Sequence, residues 1–205
     1  MTKKPFSSSF ELVIASTNIH KIREFKAMLK SLSNIDLLSL CDFPDYVQPE
    51  ETGKTFEENA LLKAVHAAKT LNRWVLSDDS GLTVPSLDGA PGVYSARYAG
   101  AQATDLENRK KLLSEMAHLM EEDRYAFYEC CLVLASPEGV KKITKGTCEG
   151  SLLLQDKGGS GFGYDPLFVK HGYQKSFAEL DDSTKNRVSH RRKALDKLLP
   201  LLEAL

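Results

Sequence analysis

Apolar residues along the chain alternate between short continuous runs and helical spacing, the pattern of strands alternating with amphipathic helices. The run 11-ELVIAS-16 reads as a strand buried on both faces. Thr17 and Asn18, both cap-type residues, open a helix to about Leu32, with Ile22, Phe25, Leu29 and Leu32 in phase. Segment 33–54, broken by Pro44, Pro49 and Gly53, reads as irregular. Thr55 and Glu58 form a T-x-x-E box that starts a second helix, which runs to about Leu71 with Leu62, Val65 and Ala68 on its apolar side. Strand 74-WVLS-77 then ends on two neighbouring aspartates, Asp78 and Asp79.

The second half follows the same logic. Segment 85–100 is a long loop with Gly89, Gly92 and Gly100, and long ordered loops tend to be functional. A second T-x-x-E box, Thr104 to Glu107, starts a helix with Leu112, Leu113, Met116 and Leu119 on one face. Residues 125–136 and 139–150 read as a hairpin around Pro137-Glu138-Gly139. A glycine-rich loop, 158-GGSGFGYDP-166, leads into a short strand at 167–169. One helix over about 184–204 closes the chain, with Pro200 expected to kink or end it. The order predicts an α/β fold, a mixed sheet flanked by helices with an antiparallel insertion. Residues 1–9 are expected to be a loose tail, and 10–205 one domain with two lobes.

Composition narrows the function classes. Net charge is -1, from 27 basic and 28 acidic side chains, which argues against a protein that coats a polyanion such as nucleic acid. A small anionic ligand needs only a local basic cluster. Cys41, Cys130, Cys131 and Cys148 form no C-x-x-C pair and read as reduced thiols. With no apolar run near the roughly 18 residues of a membrane span, and no signal-peptide pattern, a cytoplasmic protein is expected.

Four places can carry chemistry. If Asn18 caps the first helix, Lys21 sits in its first turn, at the wrong end for the helix dipole. Free N–H groups with a lysine would suit phosphate, yet no G-x-G-x-x-G or G-K-[ST] is present, and an exposed lysine is the plainer reading. Glu50, Glu51, Asp78 and Asp79 could hold a hard cation such as magnesium, and one carboxylate could deprotonate a water. A polar turn explains the aspartate pair equally well. Adjacent strand residues face opposite ways, so Asp78 and Asp79 need not share a role. Phe162 and Tyr164 could stack a nucleobase, with Asp165 on its edge, or simply pack on the core. Lys185, Arg187, His190, Arg191, Arg192 and Lys193 form a basic stretch that could be a solvated helix face or a polyphosphate counter-charge. No G-x-S-x-G elbow surrounds Ser80, and no H-E-x-x-H occurs.

These motifs occur together in one known family. STNIHKIREF (16–25), EETGKTFEENALLKA (50–64), SDDSGLTVPSLDGAPGVYSARYAG (77–100), GFGYDPLF (161–168) and SHRRKAL (189–195) resemble the inosine triphosphate pyrophosphatase family, in family order and across most of the chain. The resemblance implies a central twisted mixed sheet, two lobes with a deep cleft, and a homodimer. It implies hydrolysis of ITP, dITP and XTP to the monophosphate and pyrophosphate with Mg2+. It places Ser16, Thr17, Asn18 and Lys21 on the phosphates, Ser80 near the substrate, and Phe162, Gly163, Tyr164, Asp165, Lys185, His190 and Arg191 around the base. Asp79 would be the catalytic carboxylate with Lys21 beside it, and Asp79 with Glu50 or Glu51 would supply the metal ligands. One departure is visible: Thr17 and His20 stand where the family usually has glycines, and each adds a Cβ near the phosphate loop. Two rival readings remain open: a pyrophosphatase for pyrimidine or modified nucleotides, and a nucleotide sensor without turnover.

Overall fold

The computed structural model describes residues 10–205; the expected tail at 1–9 lies outside the described residues. Six strands form one mixed sheet in the order β2-β1-β3-β4-β5-β6. Strands β1 (Phe10–Ile14) and β2 (Ile35–Ser39) are parallel to each other, and β1 is parallel to β3 (Trp74–Thr83). The remaining pairs, through β4 (Tyr125–Ser136), β5 (Gly139–Leu152) and β6 (Phe168–Lys170), are antiparallel. The α/β fold with its mixed sheet and antiparallel hairpin is the one expected.

Helices cover both faces of the parallel end. Helix α1 (Ile19–Met28), with the C-terminal helices, packs Ile22, Phe25 and Met28 against Leu12, Ile14, Leu76 and Leu132. Helix α2 (Phe56–Leu71) covers the opposite face, against Val13, Val75 and Val133. Its buried stripe is Phe56, Ala60, Ala64, Ala67 and Ala68, whereas Leu62 and Val65 are only half buried. The expected face was therefore rotated: the small alanines let the helix lie close to the sheet, and the branched residues sit at its margins. A third apolar cluster fills the far end of the long strands, around Leu82, Tyr128, Leu152, Phe168 and Phe177, with α3 (Asp105–Glu115) supplying Leu112. Two lobes thus share β3, β4 and β5.

Three expectations change. Segment 33–54 contains β2, which forms by parallel pairing with β1 over Phe10↔Ile35 to Ile14↔Ser39, a contact that local pattern does not reveal. Strand β3 does not end at Ser77. It runs through Asp78 and Asp79 to Thr83, because β4 pairs with it from Val75↔Ala135 to Thr83↔Phe127. On its other edge β1 stops at Ile14↔Leu76, so the aspartates face an open edge there. The C-terminal helix is three pieces: α4 (Asp182–Val188), α5 (His190–Asp196) and α6 (Leu199–Leu202). Ser189 is extended (ψ 160°) and caps α5 by accepting from the Arg192 N–H, which breaks the helix, and Pro200 lies in the first turn of α6.

Gly146 of β5 sets the sheet-to-α5 distance. A Cβ there would lie 2.3 Å from the His190 carbonyl oxygen and 2.4 Å from the Ala194 nitrogen.

Candidate active site

A cavity of about 270 Å³ opens where β1 ends, between the two lobes. Its walls come from the turn after β1, the segment before α2, the middle of β3, the 92–97 turn, the 161–165 loop and α4–α5. Every sequence-predicted site residue lines it except Glu50, which is exposed and stands outside the lining; of the two expected glutamates only Glu51 faces the cavity.

The first wall is the N-terminus of α1. Asn18 caps it by accepting from the His20 and Lys21 N–H groups at 2.9 and 3.2 Å. Lys21 extends inward to Asp78 at 2.7 Å. The exposed-lysine reading therefore fails.

The two aspartates of β3 diverge by strand alternation. Asp78 is 3% exposed and takes Lys21, Arg191 and the Cys130 thiol, with Ser80 donating as well. Burial alone would push its carboxyl up; the Arg191 and Lys21 charges, with hydrogen bonds from Cys130 and Lys21, outweigh that and hold it well below the usual range. Asp79 points to the other face, toward Lys63 at 2.8 Å and the Asn59 amide at 3.3 Å. Burial pushes its carboxyl up, and neighbouring Glu51 adds to this against the pull of Lys63 and Lys21. Burial also raises Glu51, but Lys63, Lys21 and Arg97 overcome it and leave Glu51 lowered.

Lys63 is the residue that sequence reading missed on this side. Its ammonium donates to Glu51 at 2.8 Å, to Asp79 at 2.8 Å and to the Asp78 carbonyl at 3.0 Å. A signal existed: it falls in phase with Phe56, Asn59, Ala60 and Ala67 on the buried stripe of α2.

The opposite wall holds the aromatics. Tyr164 is 3% exposed, sits in the third apolar cluster and donates to the Ser95 carbonyl at 2.9 Å. Phe162 is half buried, and its ring lies 4.8 Å from the Lys185 ammonium and 5.8 Å from the Arg191 guanidinium carbon. Asp165 is fully committed inside the protein. It accepts from the Phe162 N–H at 2.9 Å and from the Tyr128 hydroxyl at 3.3 Å, and pairs with Lys185. The glycines around Phe162 are required: Gly161 and Gly163 have φ of 75° and 60°, and a Cβ on Gly161 would strike Asp165.

The basic stretch divides by helix face. Lys185, His190 and Arg191 are buried, while Arg187 and Lys193 are exposed and Arg192 pairs with Asp196. Glu24 of α1, also missed from the sequence, pairs with both Lys185 (2.8 Å) and Arg191. It stands one turn beyond Lys21 on the same helix face, which was its only signal. Arg191 is thereby shared among Glu24, Asp78 and Ser80. His190 differs. It stacks on Tyr128 at 4.7 Å, its Nδ1 is buried without a partner, and burial together with Arg191 drives its pKa well down, so the ring is neutral.

The donor set fits magnesium. Asp79 and Glu51 present hard oxygen ligands and share one ammonium, and magnesium commonly takes one or two carboxylates together with water and substrate phosphates. Among the described residues no three His, Cys, Asp or Glu side chains gather closely enough for an all-protein cage.

Fold and site together define an α/β protein with a cleft lined by paired acidic and basic side chains and by the aromatic rings of Phe162 and Tyr164. The chain belongs to the Ham1 family, whose model matches residues 12–201. It is 60% identical over 196 residues to the dITP/XTP pyrophosphatase of Protochlamydia amoebophila (strain UWE25), covering 95% of this chain and 98% of the relative. A dITP/XTP pyrophosphatase of Chlamydia abortus (strain DSM 27085 / S26/3) is 55% identical, with 95% of each chain covered. Among solved structures, a HAM1 protein from Coxiella burnetii superposes with TM-score 0.86 at 40% identity, covering 96% of this chain and all of that one. The Staphylococcus aureus Ham1 protein gives 0.82 at 42% identity, covering 95% and 98%.

Proposed function

We propose that this chain hydrolyses the non-standard purine nucleoside triphosphates ITP, dITP and XTP to the monophosphate and pyrophosphate, clearing them from the nucleotide pool. Membership of the Ham1 family and the names of its close relatives support the reaction. The observation that carries the reading is one cavity lined both by the carboxylates Asp79 and Glu51 and by Phe162 and a buried, neutral His190 whose Nδ1 has no partner.

The phosphates lie along the α1 N-terminus, with Ser16, Thr17 and Asn18 around them and Lys21 drawing charge from the phosphoryl oxygens. Magnesium, when bound by Asp79 and Glu51, supplies positive charge to the phosphate oxygens. Asp79 takes a proton from the attacking water. Lys63 holds Asp79 and Glu51 in place.

At the other end the base stacks on Phe162. We assign the single ring proton of neutral His190 to its unpartnered Nδ1, which donates to the 6-oxo oxygen of hypoxanthine or xanthine. Adenine offers an amino donor there, which leaves that buried group unpaired, and such a mismatch costs on the order of 10⁴ in specificity. The Arg191 guanidinium, expected to share this work, is occupied by Glu24, Asp78 and Ser80, so His190 is the reader.

A pyrophosphate-release assay on ITP, dITP, XTP, ATP, GTP and dUTP, each with and without magnesium, tests all of this. Magnesium-dependent release confined to the first three is expected. Equal release from ATP and ITP refutes the base-reading step, and release from dUTP alone favours the pyrimidine-nucleotide reading. No release from any nucleotide refutes the enzyme. A homodimer and cytoplasmic residence belong to the same proposal. A monomer mass at every concentration in sedimentation removes the first, and exclusively extracytoplasmic recovery on cell fractionation removes the second.

A further inference from the structure

His20 and Phe162 belong to opposite walls of the cleft, yet their rings stack at 5.1 Å between centroids and 16° between planes. His20 is exposed and stands outside the cavity lining, whereas Phe162 lines the cavity. Phe162 thus has an aromatic neighbour that is not itself part of the cavity wall. The backbone around Phe162 is tied down: Asp165 accepts its N–H at 2.9 Å, and Asp105 accepts the Gly163 N–H at 2.7 Å. Its neighbours Gly161 and Gly163 have no side chains to brace the ring. Three side chains from elsewhere hold it: the Lys185 ammonium lies 4.8 Å and the Arg191 guanidinium carbon 5.8 Å from its centroid, and His20, one residue before Lys21 on the helix end that Asn18 caps, is its aromatic partner.

Resting on the nucleotide reading above, we propose that His20 is a positioning residue for base capture. It backs the Phe162 ring so that the incoming purine completes a three-layer stack, and it ties the base platform to the helix that holds the phosphates. The consequence is specific. Loss of His20 weakens binding of substrates with a base and leaves the phosphate contacts alone.

The test compares wild type with His20→Ala and His20→Phe. An offset aromatic stack corresponds to roughly a 2- to 12-fold change in affinity. His20→Ala should raise KM for ITP within that range, with kcat changed less than about twofold. The inhibition constant of inorganic tripolyphosphate, which has no base, should stay at the wild-type value. His20→Phe, which keeps a flat ring, should restore KM. Because His20 is exposed, both variants should melt within a few degrees of wild type. An unchanged KM in His20→Ala, failure of His20→Phe to restore it, or a parallel change for tripolyphosphate overturns the inference while leaving the enzyme reading intact. Absence of ITP hydrolysis by the wild type removes the enzyme reading and this role with it.

Discussion

Replacing Lys63 with Met keeps most of its length and removes its charge. The side chain is 9% exposed, and its ammonium joins Glu51 and Asp79, each at 2.8 Å, with the Asp78 carbonyl as third acceptor. Burial alone would lower its pKa, and the Asp79 and Glu51 charges raise it instead. Breaking a buried pair by removing one partner costs about 3–5 kcal/mol, because the remaining charges are left uncompensated. A domain of this size shifts about 2–4 °C in Tm per kcal/mol, so the variant should melt roughly 6–20 °C lower. Urea unfolding at pH 7.5 measures the loss directly. The same deletion removes a positive charge that lowers the Asp79 carboxyl, so the acid limb of kcat/KM should move to higher pH. Adding Glu51→Gln should cost less in the Met variant than in wild type, since the two residues share one interaction. A stability loss under about 1 kcal/mol with an unmoved acid limb would refute the reasoning and make Lys63 a solvated bystander.

Other outcomes follow from the same geometry. Asp79→Asn should fold normally and lose on the order of 10²–10⁴ in kcat, read by pyrophosphate release; normal turnover would sink its role as base. His190 has a folded pKa below its unfolded value near 6.5, so its share of stability is complete above that pH and is lost as pH falls, by at most about 1.4 kcal/mol per pH unit. Denaturation curves between pH 5 and 7.5 should show this slope, and His190→Gln should flatten it. Gly146→Ala forces α5 off β5 and should cost about 1–3 kcal/mol while raising KM for ITP, because α5 carries His190 and Arg191; a neutral result in both readouts would show that the helix can move freely.

The fold was legible wherever the apolar pattern is local. Helix α2, the β4–β5 hairpin and both T-x-x-E starts follow from residues within one or two turns. The two starts differ in detail, since Glu107 returns to the Thr104 N–H whereas Glu58 takes the Lys54 N–H. Strand β2 was missed because only its pairing with β1, over twenty residues away, makes it a strand. The motif positions were legible too, but not their partners. Lys63 and Glu24 look like ordinary charged helix residues, and their meaning appears only once Asp79 and Arg191 arrive from other elements. Asp165 and Arg191, expected at the substrate, line the cavity and also pair with Lys185, Glu24 and Asp78, partners that local sequence does not reveal.

That pairing has a consequence for what the cleft will accept. Lys21, Lys63, Arg97, Lys185 and Arg191 are the lysines and arginines of its lining, and each already has a carboxylate counterion. The site behaves like an ion-exchange resin in its resting salt form. An anion enters by swapping with Asp or Glu, so each contact yields only the difference between two ion pairs. A bare polyanion gains little, since it strands the carboxylates it displaces. An anion that arrives with its own cation leaves them compensated, and the exchange then runs forward.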